Sequence, residues 1–199
     1  MSRVRTRPTR DDTKERLFEA AARVFEERGI GAASIETIAA AAGFTRGAFY
    51  SNFASKDDLI AAMLEDHVER SIAHHRELLE RHRTPDDYVA ALRATERNRH
   101  DPLGRAPLLH MELVLYVARA EKRRPELAKR LRARRKLVAE IVTSTTQAAG
   151  AVVRDPAWAS AMLLALEDGF RLHRLIDPDS TPADSFFRAV NDLRKLTRE

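Results

Sequence analysis

Residues 43–60 read GFTRGAFYSNFASKDDLI, and this stretch decides how the remainder of the chain is read. Within it stand two glycines, three phenylalanines, a tyrosine, several small hydroxyl or amide side chains and a lysine near the end. A helix that only packs on a core has no use for that mixture. Gly43 ends an apolar-periodic segment, as glycine does where the chain must turn through a positive φ. Thr45 then caps a short helix reaching about Phe53, and Ser55 caps a longer one. Asp57 and Asp58 fall in the first turn of that longer helix, where the helix dipole favours acids. Lys56 in the same turn is unfavourable on that account and suggests that an anion is expected there.

Immediately upstream, Thr9 or Asp11 caps a first helix that runs to about Arg28 and stops at Gly29. Its apolar stripe is Leu17, Ala21, Val24 and Phe25, the spacing of a core-facing helix. Ser34 caps a second helix over Ile35–Ala42 that buries Ile38 and Ala39. Two short helices joined by a tight glycine turn form a helix-turn-helix, whose second helix enters the DNA major groove. Phe44, Phe49 and Phe53 supply its apolar anchor, while Thr45, Arg46, Gly47 and Tyr50 lie towards the other side. A glycine inside a helix costs about 1 kcal/mol relative to alanine. Close approach of backbone to DNA explains that cost. A helical hairpin with an aromatic core and no ligand explains the phenylalanines, but not Gly47, Lys56 or the basic residues at the start of the chain.

Those residues are Arg3, Arg5, Arg7 and Arg10, four positive charges before the first acid at Asp11. Such an arm suits a phosphate backbone or a groove, although alone it serves equally as a solvated terminus. The net charge of +5 and sequence pI of about 9.9 also point to a polyanion. Of the 199 residues 44% are hydrophobic and 33% charged, with no run of alternating β-formers, so an all-α chain with a sizeable core is expected. Cysteine is absent, which excludes disulfides, thiolate metal sites and a cysteine nucleophile. The N-terminus lacks the apolar segment of a secretory signal. No apolar stretch nears the roughly 20 residues that span a bilayer, so no membrane partner is expected. The expected location is the cytoplasm, with the nucleoid when DNA is bound.

After residue 84, prolines at 85, 102, 107, 125, 156, 178 and 182 fall between apolar-periodic segments rather than within them. They divide the chain into helices over about 86–99, 108–120, 126–149, 157–176 and 183–197. With a long fourth helix from Lys56 to about Arg83, the expectation is about nine helices. Two domains are expected: 1–55 for the arm and helix-turn-helix, 56–199 for a helical body.

At this point Ser34, Ile38-Ala39, Ala42-Gly43-Phe44-Thr45, Gly47, Phe49-Tyr50, Phe53, Ser55-Lys56 and Leu59 carry a resemblance. In order and spacing they resemble the N-terminal signature of TetR-type transcriptional regulators, over roughly Leu17 to Met63. Beyond that the resemblance is architectural. It implies an all-α homodimer with a three-helix DNA-binding domain and a larger ligand-binding and dimerisation domain. Carried over by position, Ser34 would meet a phosphate from the start of the second helix. Thr45 and Arg46 would open the recognition helix, Gly47 would allow close packing on DNA, and Tyr50 and Lys56 would reach further phosphates. The sequence departs from that pattern at Asn52, where His or Tyr is frequent, and at Phe49, where Leu or Ile is commoner. In physical terms Ser34, Tyr50, Lys56 and the arm set affinity, whereas Arg46 is the candidate for reading a guanine edge.

The same resemblance implies a four-helix dimer interface built from the last two helices. The stripe Trp158, Met162, Leu166 and Phe170, joined by Phe186, Val190 and Leu193, is the candidate; alternatively both stripes face the chain's own core. A small, mostly hydrophobic effector would bind between the fourth and eighth helices. Candidate contacts are Tyr88, His110, Met111, Val114, Tyr116, Trp158, Met162 and Arg171, each of which also suits plain core. No catalytic residue, metal or cofactor is expected. His67, His74, His75 and His82 share one side of the fourth helix but extend over four turns without a completing carboxylate. A helical enzyme using His110 and Glu112 is disfavoured because residues two apart on a helix point away from each other. The reading is therefore a homodimeric repressor of a pseudopalindromic operator, released by an effector. An effector-independent or activating regulator is the alternative.

Overall fold

The computed structural model describes residues 9–82, 84–95, 103, 106–122, 124–148 and 150–196. Among them the only regular structure is helical, in nine segments: α1 (Arg10–Ala32), α2 (Ile35–Ala41), α3 (Arg46–Tyr50), α4 (Lys56–Arg81), α5 (Pro85–Thr95), α6 (Pro107–Arg119), α7 (Arg124–Ala148), α8 (Pro156–Ile176) and α9 (Ser185–Leu196). The all-α expectation holds, and each expected helix is present with ends shifted by a few residues. Arg3, Arg5 and Arg7, expected to contact DNA, lie outside the described residues.

Local chemistry fixes the starts of these helices. Thr9 closes a capping box on α1, accepting from Asp12 N while Asp12 accepts from Thr9 N. Those bonds hold the Asp12 carboxyl below the usual range. Ser34, Thr45 and Ser55 cap α2, α3 and α4 by accepting from the main-chain N–H three residues on. Pro107 and Pro156 occupy first-turn positions, where a missing N–H costs nothing. Gly29, at φ +75°, interrupts α1, but the chain regains one helical turn before Ala33.

Two apolar cores follow from the packing. The first gathers Leu17, Phe18, Val24 and Phe25 of α1, Ile38 of α2, Phe49 of α3, Leu59, Ile60, Met63 and Leu64 of α4, and Leu109, Leu113 and Val117 of α6. It therefore crosses the expected division at residue 55: α4 and α6 are as much a part of it as the first three helices. The second core is smaller, with Leu78 and Tyr88 against Leu137 and Ile141 of α7. α4 is thus a spine shared by both. Ion pairs hold its flanks, Arg70 to Asp66 and to Glu15 of α1, and Arg130 of α7 to Glu65 and Glu69. No described helix is long and apolar enough to cross a membrane.

Candidate nucleic-acid interface and internal cavities

The turn between α2 and α3 is made by Gly43 at φ +75°, with Phe44 N donating back to Ala39 O at 2.8 Å. A side chain missing from the sequence reading pins it. Arg16 of α1 donates to Ala42 O at 2.9 Å and lies over the Phe44 ring at 4.6 Å. The backbone angle requires glycine, and a Cβ placed there would come to 3.1 Å from that guanidinium, which would have to shift by a few tenths of an ångström. Nothing in the local sequence marks Arg16, because its partners are 26 residues or more away.

Behind α3 stands the expected anchor. Phe49 is fully buried and Phe53 nearly so, their rings 5.8 Å apart, with Phe18 of α1 stacked on Phe53 at 5.8 Å. In front, Thr45, Arg46, Gly47 and Tyr50 are all exposed. Arg46 is not loose. It pairs with Glu36 of α2 at 2.9 Å, lies over the Tyr50 ring and reaches the Tyr50 hydroxyl at 3.4 Å. The Glu36 carboxyl is lowered first by its own N–H at the start of α2, then by Arg46. Asn52 turns back, donating to Ala48 O at 2.9 Å, and so closes the last turn of α3. The helix itself ends at Tyr50 rather than Phe53, although Phe53 N still donates to Phe49 O.

Two residues expected at phosphates have partners within the chain. Ser34 Oγ accepts from Thr37 N at 3.1 Å and lies 2.9 Å from Thr37 Oγ1. Lys56 Nζ donates to Ile30 O at 2.7 Å and to Ala33 O at 2.9 Å, which accounts for a cation in the first turn of α4. Those carbonyls close the end of α1, so the lysine by itself is no sign of an external anion. An ammonium has three donors, and one remains.

Gly47 is different. A Cβ there would meet only Thr45 Oγ1, at an ordinary 3.7 Å. The fold does not need this glycine. Gly47→Ala is therefore expected to raise stability by up to about 1 kcal/mol while weakening DNA binding. Thermal melts and operator titrations check both signs; a variant that binds DNA as tightly as the parent would place Gly47 away from the duplex.

In the helical body a partly open cavity of about 100 Å³ lies between α4, α5, α7, α8 and α9. It is lined mainly by apolar groups, among them Leu92, Ile141, Leu163 and Phe187, with Tyr88 and His75 joined at 2.6 Å. A wider groove of about 950 Å³ adjoins it, lined by Asp86, Arg93, Phe170, Arg171, Arg174 and Asp184. The two share Val89, Glu167, Phe186 and Phe187. Glu167 accepts from half-buried Arg171 at 2.8 Å and from buried Arg134 of α7 at 2.9 Å, tying α7 to α8.

Of the eight expected effector contacts, Tyr88 lines the cavity and Arg171 the groove; the other six line neither. His110 is buried against His67 of α4, ring centroids 4.5 Å apart, and Glu112 points to solvent. Met111 is half-buried, and Val114 and Tyr116 pack on the first core. Tyr116 donates to Asp57 at 2.8 Å, linking α6 to the first turn of α4, and that bond holds its hydroxyl proton above the ordinary range. Trp158 and Met162 are on the surface, 67% and 37% exposed. Among the other expected interface residues, Leu166, Phe170, Phe186, Val190 and Leu193 are half-buried within the chain. Phe170 and Phe186 line the groove, and Phe186 and Val190 the cavity. Periodicity alone cannot separate a helix's pocket side from its partner side, since both are apolar.

Comparison with known proteins adds a family context. Residues 17–63 match the family described as bacterial regulatory proteins, tetR family, and residues 108–195 match a tetracyclin repressor-like C-terminal domain. The chain is 37% identical over 73 residues to the HTH-type transcriptional regulator TtgR of Pseudomonas putida, covering 34% of this chain and 35% of that protein. It is 38% identical over 85 residues to the HTH-type transcriptional activator FasR of Mycolicibacterium smegmatis, covering 43% and 37%. The chain thus spans little more than a third of the length of these curated relatives. Among solved structures, reduced NemR of E. coli superposes with a TM-score of 0.71 at 22% identity, covering 91% of this chain and 97% of that one. Salmonella enterica GusR superposes with 0.64 at 25% identity, covering 94% and 96%.

Proposed function

Because the chain belongs to the TetR family of bacterial regulatory proteins, we propose that it is a homodimeric transcriptional repressor that reads a pseudopalindromic operator through α3. One observation carries the reading: α3 presents Thr45, Arg46, Gly47 and Tyr50 to solvent, including a glycine that the protein's own packing does not require. Arg46 reads a guanine, exchanging Glu36 for the base edge; the remaining N–H of Lys56, the Tyr50 hydroxyl and Ser34 hold phosphates. Arg3, Arg5 and Arg7 add charge from the arm. An apolar effector enters the α4–α9 cavity beside Tyr88 and His75 and extends into the groove beside Arg171. Tyr116 and Asp57 then pass displacement of the body to the first turn of α4. Nothing in this scheme needs a cofactor or a catalytic group.

DNA selected from a random pool is expected to converge on two inverted half-sites about one helical turn, roughly 34–36 Å, apart. Arg46→Ala should weaken the selected site by about 1–3 kcal/mol and relax preference at one base pair per half-site. A pool that yields no preferred sequence defeats the proposal; an equal loss on all sequences moves Arg46 to the backbone.

A further inference from the structure

Positive charge is concentrated far along the sequence from the reading head. Residues 119–136 hold ten Lys and Arg against two Glu, while the whole chain carries only +5, so everything outside this segment is net negative. Arg130 and Arg134 are used internally, on Glu65, Glu69 and Glu167, and Arg124 faces Glu121 at 3.8 Å. Arg119, Lys122, Lys129, Arg132, Arg135 and Lys136 are exposed. Among the described residues, none of these six pairs with an acid.

The fold returns the start of this segment to the end of α4 that adjoins the helix-turn-helix. Tyr116, one turn before Arg119, is bonded to Asp57 in the first turn of α4. Leu127 packs on the first core, Arg130 reaches Glu65 and Glu69, and Leu137 and Ile141 meet Leu78. α7 therefore rises alongside α4 in the same direction. At 1.5 Å per residue, Arg124 lies about 9 Å nearer the reading head than Arg130, level with the first turns of α4.

We propose that the basic corner between α6 and α7, with Arg119 and Lys122 at its tip and Lys129 about 7.5 Å further along α7, is a second and sequence-independent contact with the phosphate backbone of the DNA held by α3. The proposal rests on the DNA-binding reading above. It makes the helical body part of the DNA-binding surface and lengthens the footprint beyond the helix-turn-helix. Flexible, exposed cations of this kind gain from counterion release without needing fixed geometry. A membrane surface would require apolar side chains among them, and Leu131 is the one large apolar side chain exposed within the described part of the segment.

The test compares the full-length chain with the surface variant Arg119→Ala/Lys122→Ala/Lys129→Ala, and with Lys122→Gln/Lys129→Gln as a milder version. Both are titrated against salt on a long operator and on one trimmed to its half-sites. On long DNA the slope of log affinity against log salt should become shallower by about two to three for the triple variant, at about 0.9 per phosphate contact. Trimming should reduce the parent's slope similarly and leave the variant's unchanged, with the selected sequence the same for all. An unchanged slope on long DNA overturns the proposal. So does a fall that is equal on long and trimmed DNA, or a variant that loses only binding to anionic vesicles. If the parent itself selects no operator, the DNA-binding reading fails instead.

Discussion

Replacing Trp158 and Met162 together with glutamate is expected to yield a folded monomer that has lost its operator. The reason lies in α8. Of its 21 residues only Ser160 is buried, although the segment is rich in alanine, leucine and aromatics. Its inner side, with Leu163, Leu164 and Glu167, lines the cavity. The opposite side carries Trp158, Met162, Ala165, Gly169, Leu172 and Ile176, spaced by alternating steps of four and three, the pattern of a helix–helix seam. Trp158 and Ile176 are 67% and 76% exposed, and no atom lies within 4 Å of a Cβ placed on Gly169. An exposed apolar stripe of this kind suits a partner surface, and in the proposed homodimer a second copy would cover it, with the small residues at its middle letting the helices approach. Two carboxylates at the end of that seam would be buried in an apolar interface without a compensating charge. Because two linked reading heads bind by avidity, their separation should lower operator affinity on the order of 10²–10⁴-fold. Sedimentation and operator titration check this; a variant that stays dimeric assigns the contact to another face.

The second large effect belongs to Phe49→Ala. Phe49 is the fully buried member of the aromatic group that joins α3 to α1, touching Phe53 at 5.8 Å and the edge of Tyr50 at 5.7 Å. Truncating a buried phenylalanine costs about 3–5 kcal/mol through lost transfer energy and the cavity left behind. That is a large share of the roughly 5–15 kcal/mol that holds a domain folded. At about 2–4 °C per kcal/mol for a chain of this size, the melting temperature should fall by about 10 °C, and DNA binding should go with it. Phe49→Leu keeps most of the volume and should cost under about 1.5 kcal/mol. If Phe49→Ala abolishes DNA binding without moving the melt, the side chain acts at the interface and not as an anchor.

Much of the reading head was legible because its signals are local. The caps at Ser34, Thr45 and Ser55, the glycine turn and the phenylalanine spacing each depend on neighbours within about five residues. The prolines likewise marked the first turns of later helices. Lys56 shows the limit of such signals: its position argues for an outside anion, yet the carbonyls of Ile30 and Ala33, more than 20 residues away, accept two of its protons. Arg16 carries no local signal for the same reason. In the body, sequence periodicity found apolar faces but not their occupants. His110, Met111, Val114 and Tyr116 read as pocket residues, yet α6 spends its buried face on the first core, while the cavity belongs to α4, α5, α7, α8 and α9.

The amino-acid sequence alone therefore determined the helical class, the capped starts of the first four helices and the helix-turn-helix, since capping, turn chemistry and period are properties of short segments. Only the tertiary structure decided that Gly47 is free of any packing duty and that α8 faces a cavity on one side and solvent on the other. It alone brought the basic segment after Arg119 back to the level of the fourth helix's start. Those facts depend on which distant helices meet, and a single chain's periodicity carries no record of that.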